Sequence, residues 1–408
     1  MLKEAFQYAY INAKIRALKS LLLAPSDYQN LLGVSGYSGL AECLRVTSYG
    51  AALSLFPQEG MGTDLKSVPI PFSFDRLIHL FYQDLFDCYG KVIRSLSGNR
   101  KLLIQHLYQK YELENLKAIL RIVCYEKPRE NVEQMLLPTI EQPSEYGSGR
   151  NFSRGALLQS KSVEEILSQL KRTCYYRPLQ NALYRFKEEK ETFPLEMALD
   201  LSYYNQLWKI ISSLGRRERK ITRSILGVQM DILNITWIFR FKEIYHFSPE
   251  EILNYGLMQG CHISPELRKK LAYSVDRKDV LTNLAGTPYK ALLERMGIQK
   301  GTGEKGMSSR ISHFKSVNIP SDPASANSDS SSTIEYDSEI SSVHLWRYLL
   351  AVARKNWQGF PFHIGIVLDY VLFKEIEVRD LISITEAKRL NLSREMVSNY
   401  LIQTFPCD

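Results

Sequence analysis

Residues 356–390 read NWQGFPFHIGIVLDYVLFKEIEVRDLISITEAKRL, an apolar run that passes straight into a dense charged one. Ile364, Val367, Leu368, Val371 and Leu372 fall at i, i+3, i+4, i+7 and i+8, so they share one helical face. The positions between them are largely apolar too, which predicts a helix buried on most sides. Residues 360–373 are broken by His363 and Asp369, and the run is too short for a bilayer, which takes about 20 apolar residues. A core helix is expected, with His363 hydrogen-bonded inside it. Lys374, Glu375, Glu377, Arg379 and Asp380 then set opposite charges within helical reach of one another, predicting a polar helix that is solvated or faces an interface.

Working outward, the rest of the chain reads as helix. Ser26 with Gln29, Ser162 with Glu165 and Ser248 with Glu251 have capping-box spacing, and Pro249 and Pro265 each follow a serine at a first helical position. Alternating strand patterns flanked by hairpin turns are not found. An opening helix over residues 3–23 is expected to bury Phe6, Tyr10, Ala13, Ala17 and Leu21 and to stop before Pro25.

One theme occurs three times. GLAECLRVTSYGAAL (39–53), SVEEILSQLKRTCYYRPLQNAL (162–183) and KDVLTNLAGTPYKALL (278–293) each run through a leucine-spaced helix, a Thr, a Tyr and a second helix. Thr47 with Tyr49, Thr173 with Tyr175 and Thr287 with Tyr289 hold matching places. A helix followed by a capped helix recurs as ENLKAILR then ENVEQMLL and as LNITWIFRFKEIYHF then SPEEILNYGL. The period exceeds that of short solenoid repeats. It predicts three helical units, over roughly residues 1–110, 111–230 and 231–408, with the opening helix serving the first. Residues 299–342, rich in Ser, Gly, Pro and Asp, bury little and are expected to be a low-complexity, disordered insertion.

These motifs together resemble the C/d family of rotor proteins, named C in bacterial and archaeal V/A-type ATPases and d in vacuolar ATPases. Phe362, Gly365, Lys374, Glu375, Glu377 and Arg379 match that family's C-terminal signature, and Asp380 stands where the family has Asn. YAYINAKIRALKSLLL resembles its opening, and Glu196, Asp200, Tyr203 and Tyr204 stand in its central block. The resemblance covers about 5–295 and 343–402. It implies an all-α fold of three similar helical units around an open-ended central cavity. It further implies a non-catalytic central-stalk part, one copy per complex, that joins the shaft subunits to the membrane proteolipid ring. Such a protein is cytoplasmic and peripheral on the membrane, without cofactor or nucleic acid. Arg16, Arg121 and Arg240 sit near equivalent places in the repeats, either in internal salt bridges or gripping acidic shaft residues. Lys374, Glu375, Glu377 and Arg379 are the other candidate partner-binding residues.

Composition agrees with a soluble globular chain: 408 residues, 45% hydrophobic and 24% charged. The first residues lack the pattern of a secretory signal. Six widely spaced cysteines form no CxxC pair and read as small buried hydrophobes. Catalytic signals are weak. GTGEKGMS (301–308) has Met307 where a phosphate-binding loop needs lysine, GVSGYSG (33–39) is a glycine turn, and the seven histidines include no HExxH. The net charge of +8 favours an acidic partner, which is nucleic acid, anionic lipid headgroups or an acidic protein surface, and RRERKITR (216–223) is the densest cluster, read as a solvated helix end near the previous helix's C-terminal dipole or as a contact for an acidic partner or lipid headgroups. Two other readings stay open at this stage: a cytosolic helical scaffold binding an acidic protein or RNA, and an enzyme with a cavity site.

Overall fold

The computed structural model describes residues 2–54, 74–125, 136–139, 153–298 and 329–403. Among the described residues every regular element is a helix. The first stretch holds α1 (Leu2–Lys19), α2 (Pro25–Gly33), α3 (Gly36–Arg45) and α4 (Gly50–Leu53), followed by α5 (Phe74–Ile93) and α6 (Gly98–Cys124). Next come α7 (Arg154–Gln159), α8 (Val163–Leu170), α9 (Tyr176–Glu189), α10 (Phe193–Ser213) and α11 (Arg216–Glu243). The remainder is α12 (Pro249–Tyr255), α13 (Pro265–Tyr273), α14 (Arg277–Asn283), α15 (Pro288–Ile298), α16 (Asp329–Trp357), α17 (Ile364–Arg389) and α18 (Arg394–Tyr400). Residues 301–308 and most of the low-complexity segment lie outside the described residues, and its last part, from Asp329, is the beginning of α16.

Three long helices carry the architecture. α6 has 27 residues, α11 has 28 and α17 has 26, each about 40 Å long at the helical rise. α10 packs along α6, α16 along α11 and α5 along α17, with α1 also against α17. One contiguous apolar core runs through all of them.

Local chemistry sets many of the boundaries. Ser248 and Glu251 form the reciprocal capping box, while Ser162 and Ser264 each accept from the backbone N–H three residues on. At α2 the expected cap is displaced. Pro25 occupies the first turn, so Ser26 already lies inside the helix, and the Asp27 carboxylate takes the Ala24 N–H at 2.7 Å. The α1 stripe also differs from expectation. Tyr8, Ile11 and Ile15 face the core, whereas Tyr10 and Leu21 are 68% and 55% exposed. Apolar residues line two sides of this helix, and burial goes to the side with the β-branched pair. The cysteines divide as well: Cys88 is buried, but Cys174 and Cys261 are exposed.

The greatest departure concerns the charged half of residues 356–390. α17 is one helix, and its charged turns are as buried as its apolar ones: Lys374, Glu377 and Asp380 are 3%, 0% and 0% exposed. Apart from the Lys374–Glu377 pair itself, their partners come from far away in sequence, so no local pattern announces the burial. His363 is buried as expected and caps α17, its Nδ1 accepting the Gly365 N–H at 3.0 Å.

Candidate functional site

The three Thr–Tyr turns are built identically. Thr47, Thr173 and Thr287 donate to the carbonyls of Leu44, Leu170 and Leu284 at 2.6, 2.8 and 2.8 Å. Each hydroxyl also accepts the N–H of the tyrosine two residues later. That bond aims the tyrosine inward. Tyr49 then donates to Glu377, Tyr175 to Glu112 and Tyr289 to Asp231, at 2.8, 2.9 and 2.8 Å. The acceptors lie on α17, α6 and α11, one on each of these three helices. Burial, and then the adjacent carboxylate, raises all three phenols well above their ordinary range, so they remain donors.

Three residues beyond each acceptor stands a second clamp. Asn115 accepts the Leu137 N–H and donates to the Leu137 carbonyl, and Asn234 does the same with Leu257. At the third position Asp380 accepts two consecutive N–H groups, from Ile402 at 2.8 Å and Gln403 at 2.9 Å. A carboxylate cannot donate, so the Asn-to-Asp departure converts a two-way clamp on one residue into a two-acceptor clamp on adjacent residues. The N-terminal turn at Tyr49 is therefore completed by the C-terminal helix α17, not by α1.

Two residues before each acceptor stand Lys110, Gln229 and Glu375, and all three line a cavity between the long helices. Leu107, Leu226 and Leu372, five residues before the acceptors, line it too, with Tyr203, Tyr204 and Leu349 from the packing helices. The cavity offers about 20 Å³ to the centre of a water molecule, enough for a single water. Glu375 accepts from Lys110 at 2.6 Å, from Tyr111 at 3.1 Å and from Tyr89.

Two further ionic clusters involve the same helices α6 and α17. Lys374 reaches Asp84 at 2.6 Å and Glu377 at 2.7 Å, and donates to the Tyr49 oxygen at 2.9 Å. Glu377 Oε2 also takes the Leu23 N–H at 2.6 Å. Burial alone would lower the Lys374 pKa, but Glu377 and Asp84 hold it above its ordinary value, so the ammonium stays charged. In the second cluster Lys117 bridges Asp200 at 2.5 Å and Glu114 at 3.0 Å, while Arg121 grips Glu196 through both Nε and Nη2.

The residues singled out from sequence thus occupy different settings. Lys374 and Glu377 come together in the core, Glu375 faces the cavity, and the Arg379 guanidinium lies 5.1 Å from the Trp346 ring centroid. Arg121 forms an internal salt bridge. Arg240 keeps a buried Nε without a hydrogen-bond partner, and Arg16, exposed on α1, bonds Asn12 at 3.2 Å and lies over Trp357. Arg121 and Arg240 follow their acceptors by nine residues, and the matching place on α17 is Glu386, so Arg16 has no share in that register. Sequence reasoning missed Glu112, Asp231, Lys110 and Gln229. Their signal is present in the matched spacing of Glu112–Asn115, Asp231–Asn234 and Glu377–Asp380.

Among the described residues no group of His, Cys, Asp or Glu is placed to hold a metal ion, and no helix is long and apolar enough to cross a membrane. The model of the ATP synthase (C/AC39) subunit family matches residues 11–400. The C subunit of the A-type ATP synthase of Methanocaldococcus jannaschii is 24% identical over 395 residues, which cover 97% of this chain and 86% of that protein. Its namesake in Methanosarcina mazei is 23% identical over 400 residues (98% and 94%), and that of Pyrococcus horikoshii is 24% identical over 376 (92% and 84%). From the C-terminal signature to the repeated turns, the chain belongs to the ATP synthase (C/AC39) subunit family.

Proposed function

We propose that this chain is a non-catalytic central-stalk subunit of a V/A-type rotary ATPase. It joins the rotating shaft to the membrane proteolipid ring, so that ATP hydrolysis or synthesis is linked to proton or sodium transport. In this reading the body consists of three units, each one long helix with its partner helix and short helices, and the first unit is made from both chain ends. The observation that carries the reading is the convergence of Lys110, Gln229 and Glu375, from matching positions on three long helices, upon one narrow cavity.

A part that transmits torque must not twist, and this construction supplies stiffness. The Lys110–Glu375 pair ties α6 to α17 at the cavity, and Lys374–Asp84 ties α17 to α5. Such partly buried pairs resist sliding because separating one leaves a desolvated charge, at a cost of about 3–5 kcal/mol. Closing the first unit with the last helix also joins the two chain ends mechanically. Shaft and ring subunits are the partners, with one copy of this chain per complex.

The test is a pull-down of the tagged chain from gently detergent-solubilised membranes, with the recovered proteins identified by mass. Proteolipid and shaft subunits are expected together, and recovery of neither would remove the rotor reading.

A further inference from the structure

Charge in this chain is strongly segregated. Four segments, YAYINAKIRALKS (8–20), KVIRSLSGNRKL (91–102), KIISSLGRRERKITRS (209–224) and RKNWQGFPFH (354–363), hold fifteen Lys and Arg against one carboxylate, Glu218. They alone carry +14, against +8 for the whole chain, so all the rest is net negative. The fold brings these segments together at the end where α5 turns into α6, α10 into α11 and α16 into α17. Lys14 donates to Ser95 at 2.7 Å, Asn99 to the Ser213 carbonyl at 3.1 Å and Arg100 to Glu218 at 2.6 Å. The Arg217 guanidinium lies 4.9 Å from the Phe360 ring centroid.

Two features separate this end from an ordinary solvated surface. Arg216, Arg217, Arg219 and Lys220 occupy the first turns of α11, at the positive end of its dipole, where cations are disfavoured. Arg219 finds compensation in the Leu214 carbonyl of the preceding helix, at 3.1 Å from Nη2, but Arg216, Arg217 and Lys220 are exposed. Apolar side chains also stand among the cations: Tyr10, Leu102 and Phe360 are 68%, 46% and 39% exposed. Cations interleaved with aromatic and aliphatic tips are what a lipid headgroup layer accommodates, since phosphates meet the charges and the tips enter the interface.

We infer that this end of the molecule is a membrane-facing surface that binds anionic phospholipid headgroups directly. The orientation toward the membrane rests on the rotor reading, whereas the lipid contact rests on the charge and the exposed apolar tips. An acidic protein is the competing occupant.

The experiment uses the purified full chain and sedimented vesicles of phosphatidylcholine, with or without a third of the lipid replaced by phosphatidylglycerol. Binding is expected to be at least about ten-fold stronger to the anionic vesicles and to weaken as salt is raised. Arg216→Gln with Arg217→Gln should cost about five-fold per cation removed, with an unchanged circular dichroism spectrum. Lys269→Gln with Lys270→Gln, exposed on α13 away from these segments, should cost much less. Equal binding to both vesicle types, or equal losses from the two double variants, would overturn the inference. So would absent vesicle binding by a chain that still recovers the ring, which would leave the coupling function intact.

Discussion

Replacing Asp369 by Asn tests how the core of α17 is held. Asp369 is fully buried, its Oδ2 takes one bond from the Asn356 amide, and its Oδ1 has no partner. Burial, only partly offset by that amide, pushes the carboxyl up to about 8. In the unfolded chain the same group titrates near 3.9. Because the folded pKa is the raised one, Asp369 favours the folded state fully only below its unfolded pKa, and stability is lost as pH rises toward 8. Linkage between these two values makes the native chain lose about 3–4 kcal/mol from pH 5 to pH 8 through this residue alone. Asp369→Asn removes that dependence, although its unpaired amide costs a roughly pH-independent amount of about 1–3 kcal/mol. Urea unfolding of both proteins at several pH values isolates the effect, since all other titrations cancel in the difference. The variant should gain steadily on the natural chain from pH 5 to pH 8. A difference that stays constant would mean that Asp369 is ionised and satisfied in the fold, contrary to the argument.

Three further substitutions probe the clamps. Lys374→Met leaves the buried Glu377 without its cation beside a half-buried Asp84, and should lower stability by about 3–5 kcal/mol; a loss below about 1 kcal/mol in urea titration, the size of an exposed pair, would show the cluster to be solvated. Tyr49→Phe, Tyr175→Phe and Tyr289→Phe each delete one hydrogen bond to a carboxylate and should each cost about 1.5–3 kcal/mol, and a neutral member of the set would break the equivalence of the three turns. Asp380→Asn puts an amide donor opposite the N–H of Ile402 or Gln403, so it should cost about 1–3 kcal/mol and speed amide hydrogen exchange at residues 401–403; unchanged exchange there would show that the clamp is not formed.

The extent to which sequence revealed this arrangement follows the range of the interactions. The caps at Ser162, Ser248 and Ser264 and the Thr–Tyr turns are settled within a few residues, and they were legible. The Tyr49–Glu377 bond spans 328 positions and the Leu23–Glu377 bond 354, so the sequence around residue 377 shows Lys374 as a partner but not the distant groups that bury the pair. For that reason the charged half of α17 reads as a surface and folds as core. In α1 two apolar stripes compete, and only packing against α17 decides between them. The register that brings Lys110, Gln229 and Glu375 to one cavity was present in the i, i+3 pairs, but it links chain ends that a linear division into three parts keeps separate.

The coupling role itself is tested most directly by transport. Membranes holding the rotary ATPase, stripped of this protein, should hydrolyse ATP without moving ions, and adding back the purified chain should restore ATP-driven ion uptake in proportion to the amount bound. Ion uptake that continues undiminished without the chain, or hydrolysis that requires the chain while uptake does not, would contradict the account.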